Sequence, residues 1–416
     1  MALKLNQLHK VSKNPWSFVL SQENNPYELN EQFDTGSYAL NAVCSDGDML
    51  SGFPLGKRIA FSGESSTAKS FFGAYIMKAF LNTYEDGMIV LFETEGSSIA
   101  QQANEIGIDK TRMIIEPVSI IEEMHTIYLN YLKKIEDDYF KTKERTKVLF
   151  VLDSLGMLSS NKEIEDKESG KNTRDMTRAA AIKSMYRAVS LKLSLLQCSM
   201  VTVNHSYTNI GGYGDAQVEG SGSGFMYAGD VRFLLTKSQK RIGNSQTGVV
   251  IRLKIKKSRW IKENQTVEIE LDFEKGMNKH SYLVEWANRV GMLVADDNTV
   301  TFKGEEYPRT VFEAKIDKYL GDDSMTELRD KVKNMLGFGS VEEDIDNLSV
   351  EQLVIKGVEF GFVSDTPRTI ILADGTKIKK NELRSNPSIV PEELIQKIKD
   401  KMLELRPDIV ENLDVE

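Results

Sequence analysis

The stretch "RIAFSGESSTAKS", Arg58 to Ser70, decides how this chain is read. A short apolar run, "RIAF", leads into a Gly/Ser-rich turn, and the following "FFGAYIMKAFLNTY" has the length and character of a helix. A strand, a loop opened by glycine, then a lysine and a hydroxyl residue at a helix start are the parts of a phosphate cradle. Backbone N–H groups of Gly63, Glu64, Ser65, Ser66, Thr67 and Ala68 wrap the phosphates, and Lys69 reaches the β and γ groups. Ser70 offers its hydroxyl to Mg²⁺, and Phe71 continues the helix. The pattern asks for glycine where Ala68 stands. The extra methyl is accommodated as long as φ at Ala68 is negative. Standing alone, such a stretch is also a polar turn before an amphipathic helix, so its surroundings carry the decision.

Those surroundings read as an α/β protein. From Thr35 to about Gly291, continuous apolar runs alternate with helix-length segments: "RIAF" (58–61), "MIVLF" (88–92), "VLFVL" (148–152), "MVTV" (200–203) and "VRFLL" (231–235). Continuous runs of this kind are strands buried on both faces of a mostly parallel sheet. "VVIRLKI" (249–255) and "VEIELDF" (267–273) instead alternate apolar with charged residues, which predicts an antiparallel extension. Three parts follow: a polar N-terminal arm over 1–33, a core over 34–290, and a smaller C-terminal domain over 291–416 with an acidic tail. "TIILADGTKIKK" predicts a hairpin in that last part, around Asp374-Gly375.

Composition narrows the class. Cys44 and Cys198 are the only cysteines and there are four histidines, so neither a disulfide framework nor a zinc cluster is expected. No stretch reaches the roughly 18 apolar residues of a membrane span and no signal peptide is evident, so a cytoplasmic location without membrane contact is expected. The net charge of −9 disfavours nucleic acid only if charge is evenly spread. It is not: "KSQKRIGNSQTGVVIRLKIKKSRWIK" (237–262) holds nine Lys/Arg and no acidic residue. That strip is either a solvated ribbon or a face for phosphates.

In a parallel sheet the carboxyl ends of the strands share one crevice, where open α/β sheets bind ligands. "VLFETEGS" places Glu93 and Glu95 there, "VLFVLDS" places Asp153, and "MVTVNHS" places His205. Asp153 suits Mg²⁺ support. Glu95 or Glu93, two residues apart and on one face of a strand, suits activation of a water, and the residues alone do not choose between them. His205 is either a γ-phosphate contact or a hydrogen-bonded histidine at a strand end. Two long stretches without an evident secondary-structure pattern leave the same edge, 159–178 and 206–224, and such loops inside a domain are commonly functional. Ile99 and Gln102 are nearby candidates for adenine contact.

Taken in order, "DTGSYALNAV" (34–43), "GFPLGKRIAFSGESSTAKS", "LFETEGS", "LFVLDSLGML", "DMTRAAAIKSMYR", "TVNHSY", "GSGSGFMYAGDVRFLL" and "KIKKSRW" resemble the RecA family of recombinases, and within it the phage UvsX branch. UvsX proteins also depart from glycine at the position of Ala68 and also carry histidine at the position of His205. The resemblance implies a RecA-like ATPase core that uses ATP and Mg²⁺, with Glu95 as the catalytic glutamate, Asp153 supporting Mg²⁺ and His205 sensing the γ-phosphate. It implies that Lys257 and Arg259 reach across a subunit interface onto a neighbour's ATP. It also implies DNA-binding loops at 159–173 and 206–224, with Asn161, Lys162, Lys171, Asn172, Arg174 and Arg178 as the DNA-binding candidates of the first stretch. The second carries Asn209, Gly211, Gly212, Gly220, Gly222 and Gly224.

The implied partners are single-stranded DNA, homologous double-stranded DNA and further copies of the chain in a helical filament contacted through the arm 1–33. A single-strand-binding protein and a recombination mediator complete the set. The expected activity is homology search and strand exchange with DNA-stimulated ATP hydrolysis, in the host cytoplasm if the chain is phage-encoded. A hexameric helicase on the same core and a non-hydrolysing accessory paralogue are the alternatives. "DTGSYALNAV" and the glycine-rich 206–224 look more like a recombinase than a helicase, and the intact set Lys69, Ser70, Glu95 and Asp153 speaks against a non-hydrolysing paralogue.

Overall fold

The computed structural model describes residues 9–19, 31–96, 99–170, 177–208, 217–242 and 245–337, and beyond these 350, 353–354, 357, 362–365, 369–372, 375–379 and 389–404. The chain divides into two compact units, Met1–Phe338 and Gly339–Glu416.

In the first unit, β1 (Gln32–Phe33) pairs with β2 (Phe53–Pro54) across helix α1 (Tyr38–Cys44). A ten-stranded sheet follows. Its strands are β3 (Arg58–Gly63), β4 (Met88–Glu93), β5 (Met113–Pro117), β6 (Val148–Asp153), β7 (Ser199–Thr208), β8 (Gln217–Glu219), β9 (Val231–Ile242), β10 (Ser245–Lys257), β11 (Thr266–Asp272) and β12 (Gly276–Met277). They lie in the order β12-β11-β10-β9-β3-β7-β6-β4-β5, with β8 returning antiparallel on the end of β7. From β9 to β5 the neighbours are parallel; β10, β11 and β12 are the antiparallel extension.

The two expected strand patterns have a visible cause. Ile59 and Phe61 of β3 enter the apolar cluster on one face while Ala60 enters the cluster on the other, so the middle of this central strand is apolar on both faces. In β11 buried and half-buried residues alternate, because one face is packed and the other meets water. β5, "MIIEP", escaped the sequence reading. It is the sheet edge, with Ile114 and Ile115 exposed and a proline closing it.

Helices α2 (Lys69–Thr83), α3 (Ile99–Ile106), α4 (Ile121–Thr142), α5 (Asn161–Glu168) and α6 (Thr177–Leu196) connect the strands. α2 sends Phe72, Ile76 and Phe80, spaced by four, into one cluster, and each such side chain contributes about 2 kcal/mol of burial. α4 and α6 cover the opposite face with Tyr128, Leu132, Tyr186 and Val189. The described part of the arm sits on its own chain: Trp16 stacks on Tyr139 of α4 at 5.0 Å between ring centroids and donates Nε1–H to Glu136 at 2.9 Å.

The first unit extends further than the expected boundary at residue 290. The helix Asp322–Leu336 buries Leu328, Val332 and Leu336 in the same apolar cluster as α2. Arg329 Nε donates to Asp48 at 2.8 Å and the Lys262 N–H to the Leu336 carbonyl at 2.8 Å. Composition shifts near Gly291, but the apolar faces that follow have no partner except the core. The second unit holds a small antiparallel sheet of Val363–Asp365, Thr369–Leu372 and Lys377–Lys379 with the helix Glu392–Glu404. Its middle and last strands form the hairpin read from "ADGT", with Gly375 at φ 86. Among the described residues no helix is long and apolar enough to cross a membrane.

Candidate functional site

The phosphate loop leaves β3 at Gly63, where a Cβ would come within 2.5 Å of Thr67 Oγ1 and 2.9 Å of the Leu235 carbonyl. Only glycine fits that start. Thr67 Oγ1 and Lys69 Nζ both donate to the Glu64 carbonyl, at 2.8 and 2.6 Å, so the lysine folds back over its own loop. Burial pushes the Lys69 ammonium below its ordinary range, against the pull of the Asp153 and Glu95 carboxylates. The condition placed on Ala68 is not met: its φ is 63, in the left-handed region, as is that of Ser66 at 61. The curl that brings the loop's N–H groups round toward the start of α2 requires that sign, and alanine adopts it with strain.

The carboxyl ends of β4, β6 and β7 converge on this loop. Pairing sets Glu93 beside Asp153 and His205 beside Gly63. Glu93 is buried and accepts the backbone N–H groups of Glu95 and Gly96 at 3.0 and 2.9 Å. Glu95 accepts from Ser154 Oγ at 2.6 Å and lies 3.0 Å from His205 Nε2. Burial acts to raise the Glu95 carboxyl, but the hydrogen bonds from Ser154 and His205 and the charges of His205 and Lys69 hold it below its ordinary value. Asp153 moves the other way: burial raises it, with Glu95 and Glu93 adding to the rise, against the Ser70 hydroxyl and Lys69. The Asp153–Ser154 peptide is cis.

A Mg²⁺–nucleoside triphosphate fits this donor set. A lysine, a hydroxyl bonded to a half-buried carboxylate and a glycine-started loop at the N-terminus of a 15-residue helix are complementary to phosphate oxygens and a hard cation. Beside the loop lies a cleft of about 650 Å³ lined by Ala68, Phe71, Tyr75 and residues 272–276, of a size for a small organic ligand. The Phe71 and Tyr75 rings meet at 4.4 Å between centroids with a 33° tilt, and a Cβ on Gly276 would strike the Tyr75 hydroxyl at 2.1 Å. The side chains of Ile99 and Gln102 lie outside the described residues. Sequence reading missed the 272–276 wall, whose turn "DFEKG" is the only local signal.

The stretch after Asp153 is more ordered than expected. Ser160 and Glu163 form a reciprocal cap on α5, and "SNKE" carried that signal. Asn161 and Lys162 open this helix, with Lys162 paired to Asp166 at 2.9 Å. Arg178 donates to the Gly156 and Leu158 carbonyls at 2.7 and 2.9 Å, which ties α6 to the turn after β6. Lys171, Asn172 and Arg174 lie outside the described residues.

The stretch after His205 is a hairpin limb: β7 runs on to Thr208 and β8 returns. Asn209, Gly211 and Gly212 lie outside the described residues. The remaining glycines have packing reasons. A Cβ on Gly220 would meet the His205 carbonyl at 2.7 Å, one on Gly224 would meet the Ala179 carbonyl at 2.7 Å, and Gly222 has φ 58. Glu219, unnoticed in the sequence, clasps the limb to the sheet: it accepts from Ser62 Oγ and from Arg232 Nη1, both at 2.8 Å. Ser62 immediately precedes Gly63.

Lys257 and Arg259 are not brought to the phosphate loop. Lys257 pairs with Arg232 near the start of β9, which lies beside Ala60 of β3. Gly63 is three residues further along that strand, roughly 10 Å away by strand rise, and Arg259 contacts Asp230, further back still.

A family model described as "ATPase: KaiC" matches residues 33–166, which span the phosphate loop, Glu95 and Asp153. The recombination and repair protein of Enterobacteria phage T4 is 28% identical over 330 residues, 76% of this chain and 82% of the relative. Protein RecA of Mesomycoplasma hyopneumoniae strain 7448 is 24% identical over 313 residues, 74% of this chain and 85% of the relative. A mitochondrial DNA repair protein recA homolog 3 of Arabidopsis thaliana is 22% identical over 284 residues, 66% of this chain and 61% of the relative. With the family-model match running through the phosphate loop and the strand ends that face it, the chain is similar to ATPases of the RecA family.

Proposed function

We propose that this protein is an ATP-dependent recombinase that assembles as a helical filament on single-stranded DNA, searches homologous duplex and exchanges strands. The observation that carries the reading is the Glu95–His205 contact at 3.0 Å, made over the phosphate loop by the strand that continues into the 206–224 hairpin.

Lys69 and the loop N–H groups would hold the phosphates, and Ser70 with Asp153 would hold Mg²⁺, which supplies charge neutralisation at the phosphoryl oxygens. Glu95, ionised and aimed by Ser154, orients a water and accepts its proton. His205 shares Oε1 of Glu95, so a change at the phosphates moves the strand that leads to 209–216. The stretches 159–173 and 206–224 would grip the DNA backbone electrostatically and leave the base edges for pairing. Hydrolysis then releases DNA by weakening the subunit contact. Lys257 and Arg259 would act on the nucleotide of a neighbouring copy, and the arm 1–33 would join protomers in an assembly that does not close. A single-strand-binding protein and a mediator would act with it in the cytoplasm.

The test is a joint-molecule assay with the purified chain, a single-stranded oligonucleotide, homologous supercoiled duplex, ATP and Mg²⁺. ATP-dependent joint molecules that vanish with heterologous duplex are expected. DNA-stimulated hydrolysis with no joint molecules, even after adding a single-strand-binding protein and a mediator, would replace this reading with a helicase.

A further inference from the structure

Lys257, the last residue of β10, and Arg259 just beyond it are mounted on one dipeptide. Lys257 Nζ donates to the Gly229 carbonyl at 3.0 Å, and Arg259 Nε lies 2.9 Å from Asp230 Oδ1. Asp230 is 5% exposed, whereas the Arg259 side chain is 60% exposed. The carboxylate is itself braced on the sheet. Arg58 Nη2 donates to Oδ1 at 2.8 Å, and the Arg58 Nε and backbone N–H donate to Oδ2 at 3.2 and 3.0 Å. Gly229 has no room for a side chain, because a Cβ would lie 2.3 Å from the Val231 carbonyl.

This arrangement does something an exposed arginine cannot do for itself. A free arginine has many rotamers, and holding it for a bidentate contact costs side-chain entropy. A buried, immobile carboxylate at Nε fixes the plane of the guanidinium before any ligand arrives. Charge acts in the same direction. Lys57, Arg58, Lys257 and Arg259 all act on Asp230, so cations outnumber the carboxylate and the mount favours an incoming anion.

We propose that Asp230 is the positioning residue for the basic pair Lys257 and Arg259, holding Arg259 in place before it meets the triphosphate of a second copy of this chain. The inference rests on the trans-acting role proposed above for Lys257 and Arg259, and its test separates the two.

ATP turnover on single-stranded DNA is measured for full-length Lys69→Ala, Arg259→Ala and Asp230→Asn, alone and in equimolar pairs. Lys69→Ala has a defective phosphate clamp and a correctly held basic pair; the other two have the reverse. Asp230→Asn alone is expected to lose about tenfold or more in kcat with a smaller change in KM for ATP, as for other groups acting only in the transition state. Its pair with Lys69→Ala should exceed the sum of the two alone. Its pair with Arg259→Ala should not. A residue that only supports the fold gives no such partner-dependent recovery.

If Arg259→Ala with Lys69→Ala shows no recovery, the trans-acting reading fails and the Asp230 proposal with it. If that pair recovers but Asp230→Asn with Lys69→Ala does not, the Asp230 proposal alone is overturned, provided Asp230→Asn is folded. Should Asp230→Asn unfold, Asp230→Glu takes its place, since it keeps the charge that neutralises Arg58 and shifts the carboxylate by one methylene. A folded Asp230→Glu with reduced kcat that recovers beside Lys69→Ala supports the proposal, and one with wild-type turnover overturns it.

Discussion

Nε2 of His205 stands 3.0 Å from Oε1 of Glu95, although 110 residues separate them. β4 and β7 are not neighbours in the sheet, since β6 lies between them. The contact therefore spans one strand and depends on both side chains leaning over the carboxyl edge.

The pair makes a first prediction. Glu95→Gln keeps the shape and the Ser154 contact but cannot accept a proton, so nucleotide binding should persist while turnover falls about 10²–10⁴-fold. Equilibrium binding of a fluorescent ATP analogue and steady-state hydrolysis separate the two effects, and lost binding would make Glu95 a structural residue. The sign of the pH dependence follows from the depressed carboxyl. Its ionised form, and the stability it contributes, are present above the unfolded value and are lost as pH falls through the lower folded value. Activity should not decline through protonation of Glu95 anywhere near neutral pH.

Asp153 behaves oppositely. Its carboxyl is raised by burial and by the neighbouring glutamates, so its favourable contribution to folding exists only in acid and is lost as pH rises through the folded value. At neutral pH the ionised group costs stability. Asp153→Asn should therefore raise Tm at pH 7.5 without ligand, with a smaller gain near pH 4, and should remove the further rise given by ATP with Mg²⁺. A lower Tm at pH 7.5 would mean that Asp153 makes contacts worth more than its desolvation.

Ala68 at φ 63 carries left-handed strain that glycine lacks. Ala68→Gly should stabilise the chain by about 1 kcal/mol in urea unfolding, and should retain nucleotide binding. Destabilisation would show that the methyl packs to greater advantage than its backbone costs.

Among the described residues, Glu219 is the one carboxylate bonded to Arg232, which is 3% exposed. Glu219→Ala should cost about 3 kcal/mol, because it leaves a buried guanidinium without its counter-charge. Glu219→Gln should be milder in stability yet weaken the ATP-dependent rise in single-stranded DNA affinity, measured by anisotropy with and without nucleotide. A Gln variant with the full nucleotide response would confine the clasp to folding.

DNA affinity itself should fall steeply with salt if 159–173 and 206–224 contact phosphates, losing about 10³-fold or more between 50 and 200 mM. A flat profile in the same anisotropy titration would remove those loops from the DNA interface.

What the residues determined by themselves was local. Strand runs buried on two faces, the phosphate loop and the "ADG" hairpin are written in neighbouring positions, since periodicity and turn chemistry act over a few residues. What only the tertiary structure decided was every relation set by strand register and chain return. The occupation of Glu93 by backbone N–H groups, the sign of φ at Ala68, the Glu219 clasp on Ser62 and the Asp230 mount under Arg259 are of this kind. So is the joining of 291–337 to the core, because an amphipathic helix announces that it needs a partner but not which surface will cover it.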